Sequence, residues 1–101
     1  MSSETYTGDA TYYYLTGGVT ACGTQHSDEE FVCALNSQQF DSTRPCGRTI
    51  RVTGSKGTHN VTIVDRMASG GVGDIDLSPA AFKSIVGSLS IGRSKVNWRY
   101  V

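Results

Sequence analysis

Asp65, Asp74 and Asp76 stand within a span of twelve residues, in the segment IVDRMASGGVGDIDLSPAA that covers residues 63–81. Carboxyl groups gathered this closely can divide acid–base work. One kept protonated by its surroundings donates, while an ionised neighbour accepts hydrogen bonds or a proton. The competing reading is a solvated acidic surface loop, and spacing alone does not separate the two. The decision rests on how the chain positions the three groups and on what stands beside them.

The positioning elements can be read locally. A strand-like run at residues 61–64 delivers Asp65, and a glycine-rich loop at 69–73 turns the backbone. Asp74 and Asp76 occupy alternate positions, which in extended chain project to one side. Ser78 then caps a helix whose first position is Pro79, where the missing N–H costs nothing. That helix runs over 79–86 and stops at Gly87. The remaining elements are short. Residues 6–14 read as a strand with Ala10, Tyr12 and Tyr14 on one face and Asp9, Thr11 and Tyr13 on the other. Turn chemistry fills 15–30, followed by a buried strand at 31–35 and a helical turn at 37–41. Strands at 48–53 and 59–65 flank a hairpin-like turn at 55–58, and 93–101 closes the chain as a strand. Many short strands with one clear helix predict a small barrel.

With 101 residues and no repeat, linker or low-complexity tract, the chain forms one domain. Nine basic and nine acidic side chains give a formal charge of zero, without a basic block. This argues against a nucleic-acid partner. No apolar run is long enough to span a membrane, and the start MSSETYTGD lacks the apolar core of a signal peptide. Isolated His26 and His59, with no CxxC, argue against a metal site. Three cysteines allow three pairings, which spacing alone does not resolve. Cys33 lies in an apolar strand and reads as a small buried hydrophobe, whereas Cys22 and Cys46 each precede a glycine in turn-rich sequence and are the expected partners. A disulfide places the domain outside the reducing cytosol, so the expectation is an exported protein.

The blocks GDATYY (8–13), ACG (21–23), CG (46–47), VDR (64–66), DIDLSP (74–79), AF (81–82) and VNWRYV (96–101) occur in this order. Together they resemble the first domain of expansins, and among expansin-related proteins the single-domain fungal loosenins. The resemblance covers nearly the whole chain. It implies a mainly β fold, a six-stranded double-psi β-barrel with one or two short helices, as a single domain over 1–101 with a loose start at residues 1–5. The same fold hosts family-45 endoglucanases, lytic transglycosylases, barwin-like defence proteins and a papain inhibitor, so fold alone leaves function open.

The resemblance implies roles for particular residues. Asp76 matches the groove aspartate that serves as general acid in the hydrolases; its alternative is a carboxylate that favours the helix start. Asp65 matches a second polar groove position, able to hydrogen-bond Asp76 or a sugar hydroxyl. Asp74 stands where plant expansins carry a histidine. The family-45 base comes from the first strand, where this chain offers Thr11 and Tyr13, neither able to deprotonate water at neutral pH; Asp9 would serve only in a shifted register. An acid without a base is the pattern of a non-hydrolytic expansin. Tyr13 can stack on the apolar face of a sugar and hydrogen-bond its hydroxyls, whereas Tyr12 and Tyr14 are expected in the core. Met67 replaces an aromatic common in expansins, which makes Tyr13 or Tyr14 the candidate substitute. The chain also lacks the second domain of two-domain expansins. The implied protein is secreted and monomeric, needs no cofactor, and loosens cellulose, chitin or a related β-glycan without cutting it. The rivals are a weak glycan-cleaving enzyme, and a protease inhibitor or defence protein acting through residues 16–28.

Overall fold

Apolar residues at every second position define the inside of the molecule. The computed structural model describes residues 4–101; of the expected loose start, residues 1–3 lie outside the described residues. Six strands form: β1 (Tyr6–Tyr12), β2 (Val32–Asn36), β3 (Thr49–Thr53), β4 (Thr58–Met67), β5 (Ile75–Leu77) and β6 (Ser94–Tyr100). They close into a barrel in the order β1-β5-β2-β4-β3-β6. β1 pairs β5 and β2 pairs β4 in parallel, and the other four pairings are antiparallel. This is the expected double-psi β-barrel. Closure leaves no unpaired edge.

Inside lie Leu35, Ile50, Val52, Ile63, Ile75, Leu77 and Trp98, each with essentially no exposed surface. Helix α2 (Pro79–Ile85) plugs the barrel with Phe82 and Ile85. Its cap is the expected one: Ser78 Oγ accepts from Ala81 N–H at 3.2 Å and donates to the Glu30 carbonyl at 2.6 Å. Helix α1 (Ser37–Thr43) is capped by Asn36, whose side chain accepts from Gln39 N–H.

Two glycines allow the chain to cross itself beside the site. A Cβ on Gly8 would overlap the Gly73 carbonyl, and one on Gly73 would overlap the Thr7 carbonyl. Gly73 also has φ +95°, a conformation that favours glycine. Trp98 Nε1–H donates to the Gly73 carbonyl at 2.8 Å, and Gly73 N–H donates to Gln39 Oε1 at 2.9 Å. The glycine loop is thus clamped on both sides.

Cys22 and Cys46 are bonded, with their Cα atoms 5.7 Å apart. Cys33 is a fully buried free thiol whose pKa burial pushes well above the usual range. Two strand readings need correction. The first strand ends at Tyr12 rather than Tyr14. The chain leaves the sheet there, so alternation stops applying, and Tyr14 is 67% exposed instead of buried. The second strand is shifted by one, to Val32–Asn36, because buried Asn36 both ends the strand and caps α1.

Candidate functional site

A single lateral row crosses the outside of four strands. Thr11 on β1 is the register partner of Asp76 on β5; Asp76 is opposite Ala34 on β2; Ala34 is opposite Asp65 on β4. Core residues flank each of the first three, Ala10 before Thr11, Ile75 and Leu77 around Asp76, and Cys33 before Ala34, so their own side chains point outward. Asp65 reaches the same face by a different route. Plain alternation from Val61 and Ile63 would send it into the core. The β2–β4 register shifts between Cys33 and Ala34, leaving Val64 as the extra residue, and this re-aims Asp65 outward. Ala34 contributes only a methyl between the two carboxylates, which stand two strands apart, roughly 10 Å between backbones.

Asp76 is half-buried, and Thr11 Oγ1 donates to its Oδ1 at 2.8 Å. Burial holds its pKa above the ordinary carboxyl value; the Thr11 bond pulls the other way, and the negative charge of Asp65 adds to the rise. Asp65 takes Tyr13 Oη–H on Oδ2 at 3.0 Å, and Ala21 N–H and Arg66 N–H on Oδ1 at 2.8 and 2.9 Å. It does not hydrogen-bond Asp76, although that contact was one of the expectations. Tyr13 packs on a small cluster of Leu15, Val32 and Val64. Burial, followed by the Asp65 charge, raises its phenol far above its usual pKa, so it stays a neutral donor.

Asp74 is committed to the backbone. Its Oδ1 accepts from Asp9 N–H at 2.8 Å and its Oδ2 from Gly71 N–H at 3.0 Å. With Thr11, Met67 and Arg93 it borders a cavity of about 160 Å³ at the end of the row. Asp9 sits against Lys95 and Arg93, at 3.0 and 3.1 Å, and these two cations lower its pKa. Tyr14 lies apart from the row. It lines a cleft of about 480 Å³ with Asp28, Phe31, Pro79 and Lys83, and its ring meets that of Tyr12 edge-on.

The sequence reading missed two supports. Gln39 holds Gly73 in place, and nothing in a lone glutamine on a short helix signals that task. The Ala21 amide is delivered to Asp65 by the segment that the Cys22–Cys46 bond anchors, while Cys22 N–H donates to the Val64 carbonyl at 3.1 Å. The ACG block carried that signal only as a turn. Among the described residues no group of three or more metal-ligating side chains occurs, and no helix is long and apolar enough to cross a membrane.

No protein-family model matches the chain. Rice (Oryza sativa subsp. japonica) ripening-related protein 6 is 36% identical over 89 residues, covering 81% of this chain and 53% of the rice protein. Ripening-related protein 7 is 33% identical over 96 residues, covering 81% and 59%. The chain thus spans between half and two thirds of the length of these relatives. Among solved structures, an aspartate-to-asparagine variant of Clavibacter michiganensis expansin in complex with cellohexaose superposes with TM-score 0.87 at 28% identity, over 97% of this chain and 50% of that one. The Streptomyces papain inhibitor superposes with TM-score 0.83 at 26% identity, over 98% and 96%. Cerato-platanin 3 of M. perniciosa shares the fold at 18% identity and TM-score 0.68. Fold and strand order are those of a six-stranded double-psi β-barrel, similar in structure to a bacterial expansin and related in sequence to the rice ripening-related proteins.

Proposed function

We propose that the protein binds a β-linked polysaccharide such as cellulose or chitin along the Thr11–Asp76–Ala34–Asp65 row and loosens contacts between chains without cutting them. The carrying observation is the row itself: a half-buried carboxyl of raised pKa beside a second carboxylate and a tyrosine, on a barrel similar to an expansin solved with cellohexaose. Asp76 offers a proton to a glycan oxygen, and Asp65 accepts from sugar hydroxyls. The Tyr13 ring supplies an apolar face for stacking. Exchanging these bonds against those between neighbouring chains weakens the network locally.

Inverting hydrolysis needs a second carboxylate to activate water, with about 6.5–9.5 Å between the two carboxyl groups. On β1 the nearest carboxylate is Asp9, and its two cation contacts make it a weak base. A secreted setting is supported by the Cys22–Cys46 bond. The test is to incubate the protein with cellulose and with chitin while measuring fibre strength and soluble sugar together. Weakening without sugar release is expected. Sugar release that grows with time and vanishes in Asp76→Asn would replace this reading with an enzyme.

A second reading rests on a separate observation. The Streptomyces papain inhibitor is matched over 96% of its length. In that case the loop over residues 16–28 would contact a cysteine protease, and papain inhibition by the Asp76→Asn variant would equal that of the parent.

A further inference from the structure

On the outer face of β3 and β6 the barrel carries a charge arrangement that the fold does not explain. Arg51 and Arg99 are directly opposed in the antiparallel β3–β6 pair. Both project outward, because Ile50, Val52 and Trp98 fill the core. Opposed residues in such a pair have Cα atoms about 4.5–5.5 Å apart, and like charges there repel. Among the described residues neither guanidinium meets a carboxylate. Arg51 Nε donates to the neutral Asn60 Oδ1 at 3.1 Å, and the ion pairs of the described residues leave both arginines out. The neighbouring cations Arg93 and Lys95 are already matched by Asp9.

The two arginines border a cavity of about 150 Å³ together with Thr5, Thr53 and Asn97. Hydroxyl and amide groups continue on either side: Thr53 and Thr58 are hydrogen-bonded at 3.0 Å, and Thr7 Oγ1 donates to Asn97 Oδ1 at 2.8 Å.

We propose that this face is a second glycan site, which takes the carboxylate of a uronate-bearing polysaccharide between Arg51 and Arg99. Two planar guanidinium forks bind a carboxylate by paired, charge-assisted hydrogen bonds. The flanking threonines and asparagines both donate and accept, as the hydroxyls of a sugar require. The face is an extended strand surface, which suits a polymer better than a small ion. A formal net charge of zero gives no long-range field to gather polyanions in general, so recognition is local. In barrel order β3 and β6 lie on the far side from β5 and β2. The acidic polymer is thereby kept away from Asp76, while Asp65, on the neighbouring β4, lies five residues along that strand from Asn60, the register partner of Arg51; the site does not depend on the role proposed for that row.

Polygalacturonate is the probe, with cellohexaose, polyglutamate and duplex DNA run in parallel at low and high salt. The folded parent is expected to bind polygalacturonate more tightly than polyglutamate or DNA, and to lose affinity as salt rises. The double variant Arg51→Gln, Arg99→Gln is expected to lose roughly tenfold in polygalacturonate affinity, with cellohexaose binding unchanged. Asp76→Asn is expected to leave polygalacturonate binding unchanged. Three results would each overturn the site: no polygalacturonate binding by the parent, equal binding of polyglutamate or DNA, or parental affinity in the double variant. Failure of the parent to bind cellohexaose, with polygalacturonate bound, would count against the groove and not against this site.

Discussion

Thr11 Oγ1 donates a 2.8 Å hydrogen bond to Asp76 Oδ1 across the parallel β1–β5 pair. Among the described residues no other hydrogen bond reaches the Asp76 side chain, so a neutral partner holds Oδ1 and Oδ2 has no protein donor. Burial and this single bond act on the carboxyl in opposite directions, and burial wins. The arrangement keeps a proton on Asp76 to higher pH than an exposed aspartate would.

Asp76→Asn is expected to abolish fibre weakening and to leave the barrel folded. Asparagine retains an Oδ1 that accepts from Thr11, so the stability change is expected to stay within about 1 kcal/mol. It has no acidic proton to give. Circular dichroism with thermal melting checks the fold, and creep or fibre-strength assays check the function. Weakening equal to the parent at matched stability would reduce Asp76 to a support for the helix start.

The pH dependence of Asp76 follows from the direction of its shift. The folded state holds the proton more tightly than the unfolded chain does. Its contribution to stability is therefore full below the unfolded value of about 3.9 and is lost as pH rises through the higher folded value. Asp9, Asp28, Glu30 and Asp41 are shifted downward and act the opposite way, losing their contribution as pH falls. Comparing parent and Asp76→Asn isolates the one group. The Tm advantage of the asparagine variant is expected to grow from about pH 4 upward, and loosening by the parent is expected to decline over the same interval. A Tm difference independent of pH would contradict the assignment.

Tyr13 separates stacking from carboxylate orientation. Tyr13→Phe removes the 3.0 Å bond to Asp65 but keeps the ring, at a cost of about 2 kcal/mol in stability. Glycan binding is expected to persist. Tyr13→Ala removes the ring as well and is expected to weaken cellohexaose binding clearly more than the phenylalanine change, as calorimetry would show. Equal binding by both variants would mean that the ring does not touch the sugar.

Removing the Cys22–Cys46 bond, in a double alanine variant, is expected to cost about 3 kcal/mol by the chain-entropy estimate. A local effect should accompany it. The Ala21 amide that meets Asp65 at 2.8 Å belongs to the anchored segment. Amide exchange at Ala21 is therefore expected to quicken more than at Ile63, in the barrel wall. Uniform quickening at both positions would show that the bond stabilises the barrel without holding the site.

Asp76 and its surroundings were readable because they depend on local signals. Alternation around Ile75 and Leu77 and the serine cap before Pro79 both lie within a few residues. Asp65 was singled out by its match to a family position, but its orientation was not readable: a one-residue register shift at Val64 reverses the face that alternation assigns. Asp74 looked equivalent to Asp76 on spacing, yet the turn at Gly71 and the passage of β1 place two amides on its carboxylate. Tyr14 misled for a similar reason, since alternation carries no mark of where a strand ends.

The register that builds the row also joins residues far apart in the sequence. Thr11 and Asp76 are 65 positions apart, Tyr13 and Asp65 are 52 apart, and β1 must still be flanked by β6, the last strand of the chain. Pairings so distant in sequence make folding slow relative to a helical protein of this size. Without β6 the barrel is not closed, and β1 is then held on one side only, by β5. The row is thus a property of the assembled sheet, built from four strands distant in sequence and present in no single stretch of chain.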